Sequence, residues 1–259
     1  MKKVSEKKRV SQKERLDRVL VDRGMVPSRQ RAQGLILAGK VLVGGSPMVK
    51  AGTLVSSKDP ISILEEANPF VSRGGLKLEG ALKGFGVHPK GKVAMDMGAS
   101  TGGFTDCLLS QGVRCVYAVD VGYGQLDWSL RNDPRVIVLE RTHVRDLTRE
   151  RVSSDMDLIT VDVSFISLKK VIPYLIKFLK DEGELLVLVK PQFEVGKGAV
   201  EKGGVIRSER KQKNVIEDIM QFLEGTGFKT GGYVPSVLKG KKGNQEFFIY
   251  AKKKRENNE

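Results

Sequence analysis

The stretch Val93-Ala94-Met95-Asp96-Met97-Gly98-Ala99-Ser100-Thr101-Gly102-Gly103-Phe104 decides the fold. Val93 to Met97 is apolar apart from Asp96, as a buried strand would be, and Phe104 to Leu109 opens a helical apolar face. The glycines between them permit backbone angles that a side chain disfavours. Strand, glycine-rich turn and helix in that order make a nucleotide-type cofactor site, and the spacing narrows the cofactor. A dinucleotide fingerprint, G-x-G-x-x-G, needs its second glycine so that the backbone can approach a pyrophosphate, and Ser100 occupies that position. A P-loop needs G-K-[ST], and no Lys directly follows these glycines. The loop suits a ligand without a pyrophosphate, and S-adenosylmethionine fits. Gly98, Ser100, Thr101, Gly102, Gly103 and Phe104, with Asp96 beside them, are the expected cofactor contacts. A branched side chain at Gly102 is expected to occupy the space of the methionine moiety.

Outward from this stretch, apolar strands alternate with helical patterns. The strands are expected at Val93 to Met97, Cys115 to Asp120, Val136 to Leu139, Leu158 to Val163, Leu185 to Lys190 and Phe247 to Ala251. Helical periodicity lies between them, notably over Leu168 to Leu179 and Ser208 to Leu223. The pattern predicts a doubly wound, Rossmann-like α/β sheet over residues 72–254, with ligands beyond the carboxyl ends of its strands. Asp120 closes the second strand, at the distance from Gly98 where an acidic side chain accepts from a ribose diol. Asp146, after the third strand, is the expected contact to the adenine amino group, with helix capping as its structural alternative.

The front of the chain reads differently. Residues 1–14 form a charge run without periodicity, expected to be a flexible basic arm. Leu16, Val19 and Leu20 then make a helical stripe that stops at Gly24, and Ser28 is placed to cap a second helix carrying Ala32, Leu35 and Ile36. Val41 to Val43, the turn Gly44-Gly45, and Met48-Val49 read as a hairpin, with a further short strand at Ile61 to Ile63. Residues 15–64 resemble, through Arg15-Leu16-Asp17, Ser28-Arg29 and Ala38-Gly39-Lys40-Val41, the S4 RNA-binding domain, a small α+β module. That resemblance implies that Arg15, Arg18, Arg29, Arg31 and Lys40 face phosphates. Residues 65–71, with Glu65, Glu66, Asn68 and Pro69, are expected to be a linker.

Lys77, Asp162, Lys190 and Glu246 come from separated segments that the fold brings to one rim. They match, position by position, the K-D-K-E tetrad of the FtsJ-type ribose 2'-O-methyltransferases. With an S4 module in front, the chain resembles the TlyA family of ribosomal RNA cytidine 2'-O-methyltransferases, also labelled hemolysin A. The resemblance rests on Val71-Ser72-Arg73-Gly74-Gly75-Leu76-Lys77, the glycine loop, Asp162-Val163-Ser164-Phe165, Lys190-Pro191-Gln192-Phe193-Glu194 and Gly243-Asn244-Gln245-Glu246. It implies the four tetrad residues as the catalytic set, Arg73 as a further RNA contact, S-adenosylmethionine as cofactor and ribosomal RNA, within ribosomal subunits, as partner. Lys190 is the expected base. Burial and the positive charges of Lys77 and the sulfonium favour its neutral amine, whereas Asp162 and Glu246 favour the ammonium.

Charge and composition agree with a polyanionic partner. The formal net charge is +14, and 16 basic against 7 acidic residues fall within residues 1–77. Cys107 and Cys115 read as core residues, and no spacing suggests a metal site. No apolar run approaches the ~20 residues needed to span a bilayer, so a cytoplasmic protein is expected and direct membrane lysis is disfavoured. An amino-methylating enzyme would carry [DN]-P-P-[YF] after the fourth strand, and Asp162-Val163-Ser164-Phe165 has neither proline. A C5-pyrimidine enzyme needs a nucleophilic Cys at the rim, where neither Cys falls. A catalytically silent assembly factor would have no use for an intact tetrad.

Overall fold

Three apolar clusters organise the molecule, one confined to residues 16–63 and two that divide the faces of one large sheet. The computed structural model describes residues 13–56, 58–64, 68–196, 200 and 203–255, and the chain separates into units of residues 1–69 and 70–259.

The first unit runs β1 (Lys13–Arg15), α1 (Leu16–Asp22), α2 (Arg29–Leu37), β2 (Val41–Val43), β3 (Ser46–Met48), β4 (Leu54–Ser56) and β5 (Ile61–Ile63). Both helices follow their apolar stripes, and Ser28 caps α2 by accepting from Arg31 N at 3.3 Å. β2 sits between β3 and β5, all antiparallel, and β3 tolerates Pro47 because it is an edge. β4 carries one buried side chain, Val55, too little pattern to be read from sequence; it pairs with β1. β1 also means that Lys13 and Glu14, read as the end of a basic arm, are a strand; the rest of that arm, residues 1–12, lies outside the described residues.

The second unit runs α3 (Arg73–Phe85), β6 (Val93–Met97), α4 (Gly103–Ser110), β7 (Cys115–Val119), α5 (Trp128–Arg131), β8 (Val136–Leu139), β9 (Met156–Val161), α6 (Ile172–Leu175), β10 (Leu179–Val189), α7 (Pro191–Glu194), α8 (Glu209–Gly225), β11 (Phe228–Pro235) and β12 (Phe247–Lys253). Its sheet has the order β11-β12-β10-β9-β6-β7-β8. The five strands from β10 to β8 are parallel, and β12 and β11 are antiparallel to their neighbours. Every residue of β6 is buried; Val93, Met95 and Met97 join one apolar cluster and Ala94 the other, as alternating side chains must. Strand order reverses between β6 and β9, so the crevice beyond their carboxyl ends is the ligand position of this architecture.

The expected helix over 168–179 is instead a 3-10 turn at Leu168–Lys170, α6, and a second 3-10 turn at Ile176–Phe178. Pro173, at the start of α6, offers no backbone N–H to the preceding turn and breaks the run. β10 starts at Leu179, not Leu185, with an irregularity before Glu184. β11 escaped the sequence reading because Gly231 and Gly232 interrupt its alternation, where the pairing with β12 also shifts. β7, β9 and β10 each end one or two residues before the expected boundary, which leaves Asp120, Asp162 and Lys190 just beyond the strand ends. The division at Pro69/Phe70 also shortens the expected linker. Phe70 is buried in the second unit's core, and residues 65–67 of that linker lie outside the described residues.

Candidate active site

The site begins at a junction of glycines. Ser72 caps α3, accepting from Gly74 N at 3.2 Å, and the starts of α3 and α4 pack without side chains between them. A Cβ on Gly103 would stand 2.1 Å from Ser72 Oγ and 2.9 Å from Gly75 N, so no other residue fits this contact. That approach fixes the first turn of α3 and carries Lys77 to the sheet's carboxyl rim. There Lys77 Nζ donates to Glu246 Oε2 at 2.5 Å, a pair that is almost wholly buried. Glu246 immediately precedes β12, and its loop is held by Asn244, a buried amide whose Oδ1 accepts from Ile206 N and whose Nδ2 donates to Gly204 O, each at 2.9 Å.

The second ion pair lies at the ends of β9 and β10. Lys190 Nζ is 2.6 Å from Asp162 Oδ1 and donates to Ser164 Oγ at 2.8 Å. Asp162 N donates to Met97 O, and Gly98, at φ +92°, lies so close that a Cβ there would meet Asp162 O at 2.6 Å. The glycine loop and the tetrad therefore share a backbone contact at the switch point. All four tetrad residues, with Gly98, Ser100, Thr101, Gly103 and Phe104, line one cleft of about 810 Å³.

Several residues occupy places the sequence reading did not foresee. Gly102 is buried, and a Cβ there would stand 2.2 Å from Leu130 Cδ1 and 2.8 Å from Leu126 Cδ1. A branched side chain at Gly102 would therefore disrupt packing under the loop before it met any ligand. Asp120 uses Oδ2 to accept from Ser100 N at 2.8 Å and Oδ1 to accept from Gly122 N at 2.6 Å, so it first of all shapes the glycine loop. Asp146 is exposed in a 3-10 turn and, like Asp120, is not part of the cleft wall. Residues to which the reading gave no role also line the cleft. Phe165 is 89% exposed at φ +65°, with its ring 4.9 Å from that of Phe193, and Lys239, Lys241 and Lys242 form a basic lip. The run Lys239-Gly240-Lys241-Lys242, so near Glu246, was the available signal. Arg73 lies at the same rim and donates to Lys239 O at 3.4 Å.

Asp96 is fully buried beneath the loop rather than in the cleft wall. Thr105 Oγ1 of α4 donates to its Oδ2 at 2.7 Å, and Thr160 Oγ1 of β9 approaches its Oδ1 at 3.3 Å. Burial pushes its carboxyl up to about 7, against the pull of the Thr105 hydrogen bond. Because the folded value exceeds the unfolded one, the native state binds this proton more tightly, and stability falls as pH rises from about 4 to about 7. Asp96→Asn is expected to gain nothing near pH 4 and up to roughly 4 kcal/mol by pH 8. Denaturant titrations at the two pH values check this; a gain independent of pH would refute it.

In the first unit, the basic residues divide into two groups. Arg15 donates to buried Asp17 at 3.0 and 3.1 Å, and Arg29 and Gln33 donate to the same carboxylate at 3.0 and 2.9 Å. Arg29 and Gln33 thus tie α2 to Asp17 of α1, and Arg15 braces the same carboxylate from the residue before α1. Arg18 is exposed beside Asp22, Arg31 and Lys40 are half-buried, and Arg31 keeps a shielded Nε without a hydrogen-bond partner among the described residues. The Arg15 guanidinium, helped by Gln33 and Arg29, holds the Asp17 carboxyl well below the usual carboxylate range despite its burial. Its stabilising effect is therefore complete above the unfolded value near 3.8 and is lost as pH falls further. Asp17→Ala is expected to cost about 2–3 kcal/mol, less than a fully buried pair because both guanidiniums keep about half their exposure. Hydrogen exchange in α1 and α2 is the measurement, and unchanged protection would contradict it.

Comparison with known proteins agrees with both units. Residues 14–61 match the S4 domain and residues 70–253 the FtsJ-like methyltransferase family. The chain is 45% identical over 242 residues to the 16S/23S rRNA (cytidine-2'-O)-methyltransferase TlyA of Mycobacterium tuberculosis, covering 93% of this chain and 90% of that protein. It is 39% identical to Hemolysin A of Brachyspira hyodysenteriae, covering 91% and 98% of the two chains. Among solved structures, a candidate hemolysin from Streptococcus thermophilus superposes with a TM-score of 0.73 at 37% identity, covering 95% of this chain and 90% of the other. By domain content, by identity over nearly its whole length and by structure, this chain is a member of the TlyA family, with an S4 domain and an FtsJ-like methyltransferase domain in one polypeptide.

Proposed function

We propose that the protein transfers the methyl group of S-adenosylmethionine to the ribose 2'-hydroxyl of a cytidine in ribosomal RNA. The observation that carries this reading is the pair of ion pairs, Lys77–Glu246 and Lys190–Asp162, in one cleft beside a glycine loop. The cleft volume of about 810 Å³ lies within the range of small-molecule sites and leaves room for a nucleotide beside the cofactor. Gly98 to Thr101 and Gly103 would hold the methionine end, and Asp120 would act on the cofactor through the loop it shapes, by its hydrogen bond from Ser100 N. When bound, the cofactor supplies an electrophilic methyl on a positively charged sulfur.

Everything else falls to side chains of this protein. A ribose hydroxyl attacks poorly until it begins to lose its proton, so the site needs an acceptor for that proton and a fixed line of approach. In this reading Lys190 Nζ receives the proton, and its contacts with Asp162 and Ser164 support that role by holding the nitrogen in the cleft. The Lys77–Glu246 pair, in the same cleft, positions the ribose. Phe165 and Phe193 offer ring faces on which a base can stack, and Lys239, Lys241 and Lys242 can meet phosphates. The S4 unit adds RNA affinity apart from the chemistry. Among the described residues no helix is long and apolar enough to cross a membrane. Mapping 2'-O-methylated positions in ribosomal RNA from cells with and without the gene tests the proposal. A cytidine position that loses its methyl group is the expected result, and identical maps would overturn it.

A further inference from the structure

Gln192 carries a polar atom that the methyl-transfer machinery leaves unused. It stands two residues after Lys190 in α7 and lines the same cleft as Lys190, Ser164, Phe165 and Phe193. Its Oε1 is shielded from solvent and has no hydrogen-bond partner among the described residues. An orphaned buried acceptor is destabilising, so its presence in a cleft wall points to a donor that arrives with a ligand.

We propose that Gln192 is a specificity-determining contact to the target base, its Oε1 accepting from the exocyclic amine of cytosine. The inference rests on the reading of the cleft as a ribose 2'-O-methyltransferase site. In a nucleotide the 2'-oxygen and the base sit on adjacent ribose carbons, so a hydroxyl brought to Lys190 brings its base to the neighbours of Lys190. The cofactor is the weaker match. The glycine loop follows β6 and Gln192 follows β10, with β9 between them, a separation of about 10 Å at the usual strand spacing. The chemistry selects the base. Cytosine presents an N–H donor at its exocyclic position, which matches Oε1 as the structure orients it, whereas uracil presents a carbonyl there and requires the amide to turn over. The Phe165 and Phe193 rings, 4.9 Å apart, provide the stacking surface that turns a base edge toward this amide.

Gln192→Met, close in volume and lacking the amide, tests the assignment in the full-length protein. Its substrates are S-adenosylmethionine and ribosomal RNA from cells lacking the gene, carrying either cytidine or uridine at the position that wild type methylates. Wild type is expected to prefer cytidine by about tenfold or more, from one well-placed base contact. In Gln192→Met, kcat/KM on the cytidine RNA should fall by about tenfold and the cytidine-to-uridine ratio should approach one. Cofactor affinity should not change and the melting temperature should not fall, since Oε1 has no partner among the described residues to lose. An unchanged cytidine preference, a loss of cofactor affinity or a lowered melting temperature would each overturn the assignment. Absence of methylation by wild type on either RNA would instead defeat the methyltransferase reading on which it rests.

Discussion

Lys190→Ala is expected to lower the methyl-transfer rate by about 100-fold or more, the usual scale for loss of a positioned base, while cofactor and RNA binding stay within a few-fold of wild type. The side chain is nine-tenths buried and touches Asp162 and Ser164, so Lys190→Ala also leaves the shielded Asp162 Oδ1 without its counter-charge, and a melting curve recorded beside the rate separates the two losses. Lys190→Arg should be equally damaging. A guanidinium keeps the charge beside Asp162 but cannot accept a proton near neutrality. Asp162→Asn and Glu246→Gln should also slow transfer, through misplacement, and need not lose the same ionisation from the pH profile. Single-turnover rates across about pH 6 to 10 separate the cases. Near-normal turnover by Lys190→Arg would show that a fixed positive charge suffices and that the proton leaves by another route.

The second large effect concerns the S4 unit. Removal of residues 1–64 is expected to abolish methylation of ribosomal RNA while S-adenosylmethionine binding, followed by calorimetry, remains within a few-fold of wild type. The two apolar clusters of the methyltransferase unit draw all their members from Phe70 onward, and the cluster of the first unit draws none from there. Cutting the chain before residue 65 therefore removes no side chain from the cofactor-side core. What it removes is much of the excess basic charge, and RNA binding by the intact protein should weaken steeply with salt, by a slope that the truncation reduces. Full activity of the shortened chain would refute this division of labour.

The sheet was legible because its parallel strands carry short apolar runs, most of them closed by a polar residue, and the doubly wound order follows from strand and helix alternation. Two of the four proposed catalytic residues were legible for the same reason, since Asp162 and Lys190 stand where apolar strands stop. The less patterned parts were not. Nothing local announces that Gly102 packs on Leu126 and Leu130, or that Asp96 turns under the loop, because both depend on side chains that arrive from elsewhere in the chain. β11, interrupted by two glycines, gains its place only from pairing with β12. Arg15 and Arg29 looked like free cations because a sequence does not show that Asp17 is buried between two helices.

Lys77 and Glu246 meet across 169 positions of sequence, one from the first helix of the methyltransferase unit and the other from the threshold of β12. β12 itself inserts between β10 and β11, so the sheet is not continuous until this late strand has docked. Contacts of such long range form slowly, because loop closure must precede any gain from them. During refolding from denaturant, the glycine loop can assemble from local β6–α4–β7 contacts and regain cofactor binding early. Turnover must wait for β12, so recovery of activity should lag behind recovery of cofactor binding.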